Sequence, residues 1–237
     1  MDRNHSGAVR DYKCIYEEDR RIDMKIEVKQ VSKEFKKQMV LKDINVTFES
    51  GNIYGLIGRN GSGKSVFLKL LCALYCPTKG EILFNGENVI KEKKFPPSTG
   101  ALIEKPSFIG DLTGFENLKL LASIQKKIGE DEINAILKKV ELYEEKDKKY
   151  SKYSLGMKQK LGIAQALMED PDIIILDEPF SGVEDETARS LRNLLLEEKK
   201  KGKLIIVATH MKEDLEKLAT VTYRFQNERV VKQENQS

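Results

Sequence analysis

The sequence predicts an α/β fold, a mostly parallel sheet flanked by helices. Three observations carry that expectation. The runs Ile173-Ile174-Ile175-Leu176 and Leu204-Ile205-Ile206-Val207-Ala208 are continuously apolar, as strands are when both faces of a parallel sheet are covered. Strand-like and helix-like segments alternate along the chain, the pattern of an α/β core. A short apolar strand, Ile53-Tyr54-Gly55-Leu56-Ile57, also runs through a glycine-rich loop into an apolar helix.

The bulk numbers agree with such a fold. A chain of 237 residues is long enough to bury a substantial core. Hydrophobic residues make up 40% and charged residues 33%, with 41 basic residues nearly matched by 38 acidic ones, a net charge of +3. That balance carries no basic field of the size nucleic acid demands, so no nucleic-acid partner is expected. The lysine runs at 36–37, 93–94, 148–149 and 199–201 read as solvated faces. Three cysteines, Cys14, Cys72 and Cys76, argue against a disulfide framework. Cys72 and Cys76 are four apart in an apolar run and are expected to pack in the core. No apolar run approaches the roughly 18–20 residues that span a bilayer. The N-terminus lacks the apolar stretch of a secretory signal. A cytoplasmic protein is expected.

Along the chain, residues 1–23 are polar and aperiodic, an extension open to disorder. Ile26, Val28 and Val31 mark a first strand, and Leu41, Ile44, Val46 and Phe48 a second. After the Ser50-Gly51-Asn52 turn and the strand Ile53–Ile57, a helix carries Phe67, Leu68, Leu70, Leu71 and Leu74 and ends before Pro77. Short strands come next at Ile82-Leu83-Phe84 and Ala101-Leu102-Ile103. From about 114 to 168 the period is helical throughout, with stripes at Phe115, Leu118, Leu121 and Ala122, at Ile133, Ile136, Leu137 and Val140, and from Leu155 to Leu167. Residues 106–165 thus read as a helical subdomain inserted into the sheet. Beyond the strand at 173–176, a helix carries Leu191, Leu194 and Leu195 and closes at Gly202. After the strand at 204–208, a hairpin turns at Asn227-Glu228.

Residues 58–65 read G-R-N-G-S-G-K-S, a full match to G-x-x-x-x-G-K-[ST] between a strand and a helix. Glycines let the backbone curl until successive N–H groups point at phosphate oxygens, and the helix presents its positive end to the same anion. Gly58, Arg59, Asn60, Gly61, Ser62, Gly63, Lys64 and Ser65, together with Val66, are therefore the candidate nucleotide cradle. Lys64 adds a point charge on the terminal phosphates and Ser65 a hydroxyl for Mg²⁺.

Asp177-Glu178-Pro179 comes directly after the strand at 173–176, at the sheet edge where open α/β sheets bind ligands. Successive strand residues point to opposite sides, so the two carboxylates divide the work: Asp177 holds Mg²⁺ through water, and Glu178 polarises the attacking water. His210 stands just after the strand at 204–208, at the same edge, where it can donate a hydrogen bond to a γ-phosphate. Tyr153-Ser154-Leu155-Gly156-Met157 holds no reactive group. It offers a hydroxyl, a residue without side chain and a helix N-terminus: a second anion cradle, or an ordinary N-cap at Ser154.

In combination these motifs resemble the ATP-binding cassette (ABC) ATPases across residues 24–233. The resemblance implies a P-loop NTPase core with an N-terminal antiparallel β subdomain and the inserted α-helical subdomain, so that 24–237 form one nucleotide-binding domain. Tyr153–Met157 takes the place of the family's L-S-G-G-Q signature, with Ser154 and Gly156 matching and Tyr153, Leu155 and Met157 departing. The resemblance implies that this element closes on ATP held by the phosphate loop of another copy. Phe35 stands where the family stacks an aromatic on adenine. Ser181-Gly182-Val183-Glu184 stands where S-G-L-D is usual, with Glu184 replacing aspartate. His210 matches the switch histidine.

Glu104, in Ala101-Leu102-Ile103-Glu104-Lys105-Pro106, replaces the glutamine of the family's glutamine loop. It can place an oxygen toward Mg²⁺ or the attacking water, and it brings a negative charge as well. With S-L-G-M-K-Q and D-L-T-G-F-E-N-L, this wording resembles the branch of bacitracin and lantibiotic export and immunity ATPases. The resemblance implies an Mg²⁺- and ATP-dependent ATPase that dimerises on ATP, as a homodimer or with an equivalent partner. Such a subunit docks through the region between Glu104 and Leu121 on a separate polytopic permease, peripheral to the inner face of the membrane. The alternative is a soluble ABC-type scaffold or regulator in a non-transport assembly process.

Overall fold

The computed structural model describes residues 23–233. His5, Cys14 and all of the polar extension except Asp23 lie outside the described residues. Strands β1 (Lys25–Phe35) and β2 (Gln38–Glu49) pair antiparallel, with Ile26 opposite Phe48 and Val28 opposite Val46. They turn at Lys36 and Lys37, both at positive φ (45 and 68), the backbone geometry whose twist suits a tight hairpin. Strand β3 (Ile53–Ile57) feeds α1 (Lys64–Leu71), and β4 (Lys79–Phe84) returns to pair with β1. Order β2-β1-β4 makes a three-stranded antiparallel sheet.

Strand β5 (Thr99–Leu102) is followed by helices α2 (Gly114–Gln125), α3 (Glu130–Lys139) and α4 (Leu155–Leu167). Then come β6 (Ile173–Asp177), α5 (Asp185–Lys200), β7 (Leu204–Thr209), α6 (Lys212–Glu216), β8 (Val221–Gln226) and β9 (Arg229–Gln233). The second sheet runs β5-β6-β7-β3-β8-β9. All its pairings are parallel except the final hairpin, which turns at Asn227 and Glu228.

Strand alternation explains the continuous apolar runs. Ile173, Ile175, Leu204 and Ile206 belong to the apolar cluster shared with α1 and the three-stranded sheet. Their neighbours Ile174, Leu176, Ile205 and Val207 belong to the opposite cluster, with Leu161, Leu191 and Leu195 of α4 and α5. Each face of the six-stranded sheet is thus roofed by other elements, so every position of β6 and β7 is buried. Helix α1 lies between the two sheets, with Phe67, Leu68, Leu70 and Leu71 fully buried. Truncating Phe67 to alanine in such a site costs about 3–5 kcal/mol.

Three sequence expectations are corrected. Helix α1 ends at Leu71, well short of Pro77, because Ala73 turns left-handed (φ 54). Leu74 is therefore exposed rather than part of the stripe. Cys72 and Cys76 do not share a core face for the same reason: Cys72 is buried, its thiol pushed up to about 12 by that burial, and Cys76 is exposed. The span 114–168 is also not helical throughout. Lys126 and Glu141, both at positive φ, close α2 and α3, and only short 3₁₀ turns at Tyr143–Glu145 and Tyr150–Lys152 precede α4.

Candidate functional site

The phosphate loop joins β3 to α1 at the carboxyl edge of the parallel strands. Gly63 is the N-cap of α1 at φ 100, and a Cβ there would lie 2.9 Å from Leu41 Cδ2 and 3.2 Å from Val40 O. The loop is thus pressed against β2 in a conformation that only glycine enters cheaply. Lys64 curls back over this loop: Nζ donates to Gly58 O at 2.7 Å and to Arg59 O at 3.4 Å. It is buried, and burial pulls its pKa down against the opposing charges of Glu178 and Asp177. Ser62 Oγ is buried without a hydrogen-bond partner among the described residues.

Asp177 closes β6 opposite Ala208 of β7. It is 5% exposed, and its Oδ1 has no partner among the described residues. Burial raises its pKa; the Ser65 side chain opposes that shift and the charge of Glu178 adds to it. The division of work between the two carboxylates does not come from strand alternation. β6 ends at Asp177, and Glu178 is already in a left-handed turn (φ 49), its N–H donating to Ala208 O at 2.8 Å. Such a backbone costs about 1 kcal/mol in a non-glycine residue, and the contacts around Glu178 hold it there. Oε2 accepts from Thr209 Oγ1 at 3.1 Å and lies 2.9 Å from His210 Nδ1. Oε1 lies 3.9 Å from Lys64 Nζ. Gln159 Nε2 donates to the Glu178 carbonyl at 3.2 Å.

The His210 contact refines its expected role. Pairing with an ionised Glu178 calls for a proton on Nδ1. In the neutral ring Nε2 is then an acceptor, and it donates to a phosphate only when the ring carries both protons or releases Glu178.

Ser65, Glu104, Gln159, Asp177, Glu178 and Ser181 line one cleft of about 650 Å³, which Leu155 and Lys158 of α4 also border. Glu104 is on its rim at φ 66, its side chain 64% exposed and bonded to Lys69 Nζ at 2.5 Å. Phe35, at the end of β1, is a surface platform rather than a core residue. Tyr75 meets it edge-on at 5.4 Å, and Lys33 Nζ lies 4.6 Å from its ring centre. Ser154 caps α4, its Oγ accepting from Met157 N at 3.2 Å. A Cβ on Gly156 would meet nothing closer than 4.0 Å, so nothing among the described residues requires glycine there. Glu184 is the N-cap position of α5 but makes no side-chain cap.

Thr209, Gln159 and Lys69 also belong to this neighbourhood, and the sequence did not single them out. Gln159 had a signal: it lies four and seven residues before Ile163 and Ala166 on the buried side of α4, a polar residue in an apolar stripe. Thr209 and Lys69 carried none, since their partners are 31 and 35 residues away in the chain.

The donor set fits a divalent hard cation beside a polyphosphate. Ser65 and Asp177 offer oxygen ligands, Mg²⁺ prefers such oxygens together with waters and phosphates, and Asp177 Oδ1 is buried and uncommitted. Among the described residues no cluster of three or more His, Cys, Asp or Glu side chains offers an all-protein metal cage.

Comparison with known proteins agrees with this geometry. Residues 41–181 match the family described as ABC transporter. An uncharacterized ABC transporter ATP-binding protein of Bacillus subtilis (strain 168), YybJ, is 42% identical over 86% of this chain and 94% of its own length. The bacitracin transport ATP-binding protein BcrA of Enterococcus faecalis is 37% identical over 83% of this chain, which spans 64% of that longer protein. The lantibiotic transport ATP-binding protein SrtF of Streptococcus pyogenes is 32% identical over 82% of this chain and 83% of its own. A solved ATP-binding subunit of an ABC transporter is 30% identical with a TM-score of 0.79, covering 89% of this chain and 90% of that one. A dimeric bacterial ABC transporter cassette, 24% identical with a TM-score of 0.81 over 90% of this chain and 99% of its own, shares the fold. The chain belongs to the ABC transporter family of ATPases, as an ATP-binding subunit related to the bacitracin and lantibiotic transport ATP-binding proteins.

Proposed function

We propose that this chain hydrolyses ATP between two copies of itself, or with an equivalent partner, to energise a separate polytopic permease. The cargo class is a peptide antibiotic, a lantibiotic or another amphipathic compound. The observation that carries the reading is the setting of Glu178, one carboxylate oxygen held by Thr209 and His210 and the other turned toward Lys64.

The N–H groups of 58–66 and the Lys64 ammonium take the phosphates, and Phe35 takes the adenine. Ser65 and Asp177, with Glu104 from the rim of the same cleft, would hold Mg²⁺. When bound, that cation would supply positive charge beside the phosphates. Glu178 orients the attacking water and accepts its proton, His210 senses the γ-phosphate, and turnover comes from positioning and charge stabilisation rather than covalent chemistry. The Ser154 and Gly156 backbone faces the γ-phosphate of the partner copy, which accounts for a glycine that the described residues do not demand. Glu184 lies in the segment that reports between the copies.

Among the described residues no helix is long and apolar enough to cross a membrane. The assigned place is the inner face of the membrane, through the permease. We assign the permease to the groove of about 530 Å³ walled by exposed Leu74, Phe95 and Ile124 together with Leu121. It meets at Leu121 the docking region expected from the sequence, between Glu104 and Leu121. A soluble scaffold role is not favoured, since the matched family and these relatives' names specify transport or transporters.

The test is Glu178→Gln. The variant binds ATP, loses turnover by at least about 100-fold and accumulates as an ATP-dependent dimer in light scattering. Wild-type hydrolysis by this variant would remove Glu178 from the role.

A further inference from the structure

Glu104 presents a chemical problem that its neighbours solve. A cleft that receives a polyphosphate is lined by Asp177 and Glu178 and has a third carboxylate, Glu104, on its rim. The charge of Glu104 reaches Asp177, and a bare carboxylate there repels an incoming polyanion. Lys69 stands against it, one helical turn beyond the Lys64-Ser65 pair on α1. Its Nζ lies 2.5 Å from Glu104 Oε1. The same ammonium lies 5.4 Å from the Tyr75 ring centre, and Tyr75 meets Phe35 edge-on. Lys69 is 21% exposed, whereas Glu104 is 64% exposed. The lysine is thus the more buried member of the pair and the acid the more exposed one.

We propose that Lys69 is a positioning residue that neutralises Glu104 and holds its carboxylate at the cleft rim until nucleotide is bound. An acid can then occupy the place where a neutral glutamine is usual without opposing the entry of ATP. The inference rests on ATP occupying the phosphate loop. The effect is largest when no divalent cation accompanies the nucleotide, because only then does Lys69 alone balance Glu104.

The experiment measures ATP affinity by calorimetry in EDTA and again in Mg²⁺. The proteins are the full-length chain, Lys69→Met, Lys69→Arg, Glu104→Gln and the double variant Lys69→Met/Glu104→Gln, each checked for folding by circular dichroism. In EDTA, Lys69→Met weakens ATP binding about fivefold, the scale of one partly screened charge contact. Lys69→Arg stays near wild type, the double variant recovers most of the loss, and Mg²⁺ narrows the difference. Should Lys69→Met not fold, Lys69→Gln takes its place in the same cycle. Equal loss in the single and double variants overturns the inference, since the ammonium would then act on the phosphates or on the fold directly. Unchanged affinity in Lys69→Met overturns it too. Wild-type protein that binds no ATP would sink the functional reading itself, whereas wild-type binding with indifferent variants sinks the ion-pair inference alone.

Discussion

Gln159, on the helix behind the Ser154 cap, donates a hydrogen bond from Nε2 to the backbone oxygen of Glu178 at 3.2 Å. Gln159 is buried, and Glu178 is held at φ 49. The helix that carries the proposed second anion cradle therefore also props the backbone of the proposed base, so what a chain would offer to its partner's site is mechanically joined to its own site. Gln159→Leu removes one of two donors and leaves the Glu178 carbonyl with the Ser181 N–H alone, a loss of about 0.5–1.5 kcal/mol. Turnover is expected to fall roughly tenfold while ATP affinity in calorimetry stays within about twofold, because no contact to the phosphate loop is lost. A parallel loss of affinity would place Gln159 in general stability instead.

A shared site makes complementation the decisive measurement. Lys64→Ala removes the phosphate cation, and Ser154→Arg blocks the cradle offered to the partner. Each homodimer then lacks both working sites, and a mixed dimer retains one intact pair. Mixing the two proteins restores up to about a quarter of wild-type ATPase per chain, since about half of randomly paired dimers are mixed and each keeps one of two sites. Silence in mixtures shown by tagged pull-down to contain the hybrid would count against closure between copies.

Asp177, proposed to hold Mg²⁺, is buried at the expense of the fold. Burial raises its pKa, so its charged form is disfavoured in the folded chain. The penalty is fully present above that raised value and vanishes below the ordinary carboxylate pKa, where folded and unfolded chains are both protonated. Asp177→Asn should therefore melt higher than wild type at pH 7 without nucleotide, each kcal/mol recovered raising Tm by roughly 2–4 °C in a chain of this size. The gain should shrink as pH falls toward 4. Hydrolysis should be lost at every pH, and Mg²⁺ should no longer tighten ATP binding. A variant that melts lower at neutral pH would contradict the burial argument.

How far the site could be read from sequence depends on the range of the physics involved. The phosphate loop was legible because every requirement is local. Gly63 must take φ 100, and the lysine and serine come within two residues. Asp177 and Glu178 were legible as a pair at a strand end, but the device that separates them, a left-handed Glu178, was not. His210 was legible by position, yet its engagement with Glu178 was hidden by a separation of 32 positions along the chain. The shared fate assigned to Cys72 and Cys76 failed because a periodicity argument cannot see where a helix stops. Ala73 ends the helical path one turn early, and nothing in its side chain announces that.

By itself, then, the sequence determined the buried parallel strands, the glycine-bent phosphate cradle and the identity of the chemical groups, because apolar alternation and backbone freedom act over a few residues. The tertiary structure alone decided which groups meet. Strand β6 lies beside β7 in a register that sets Asp177 opposite Ala208, which brings Glu178 to Thr209 and His210. Helix α1, packed between two sheets, delivers Lys69 to Glu104. Those pairings come from sheet order and layer packing, which are settled by the burial of the whole apolar surface at once and are encoded at no single stretch of the chain.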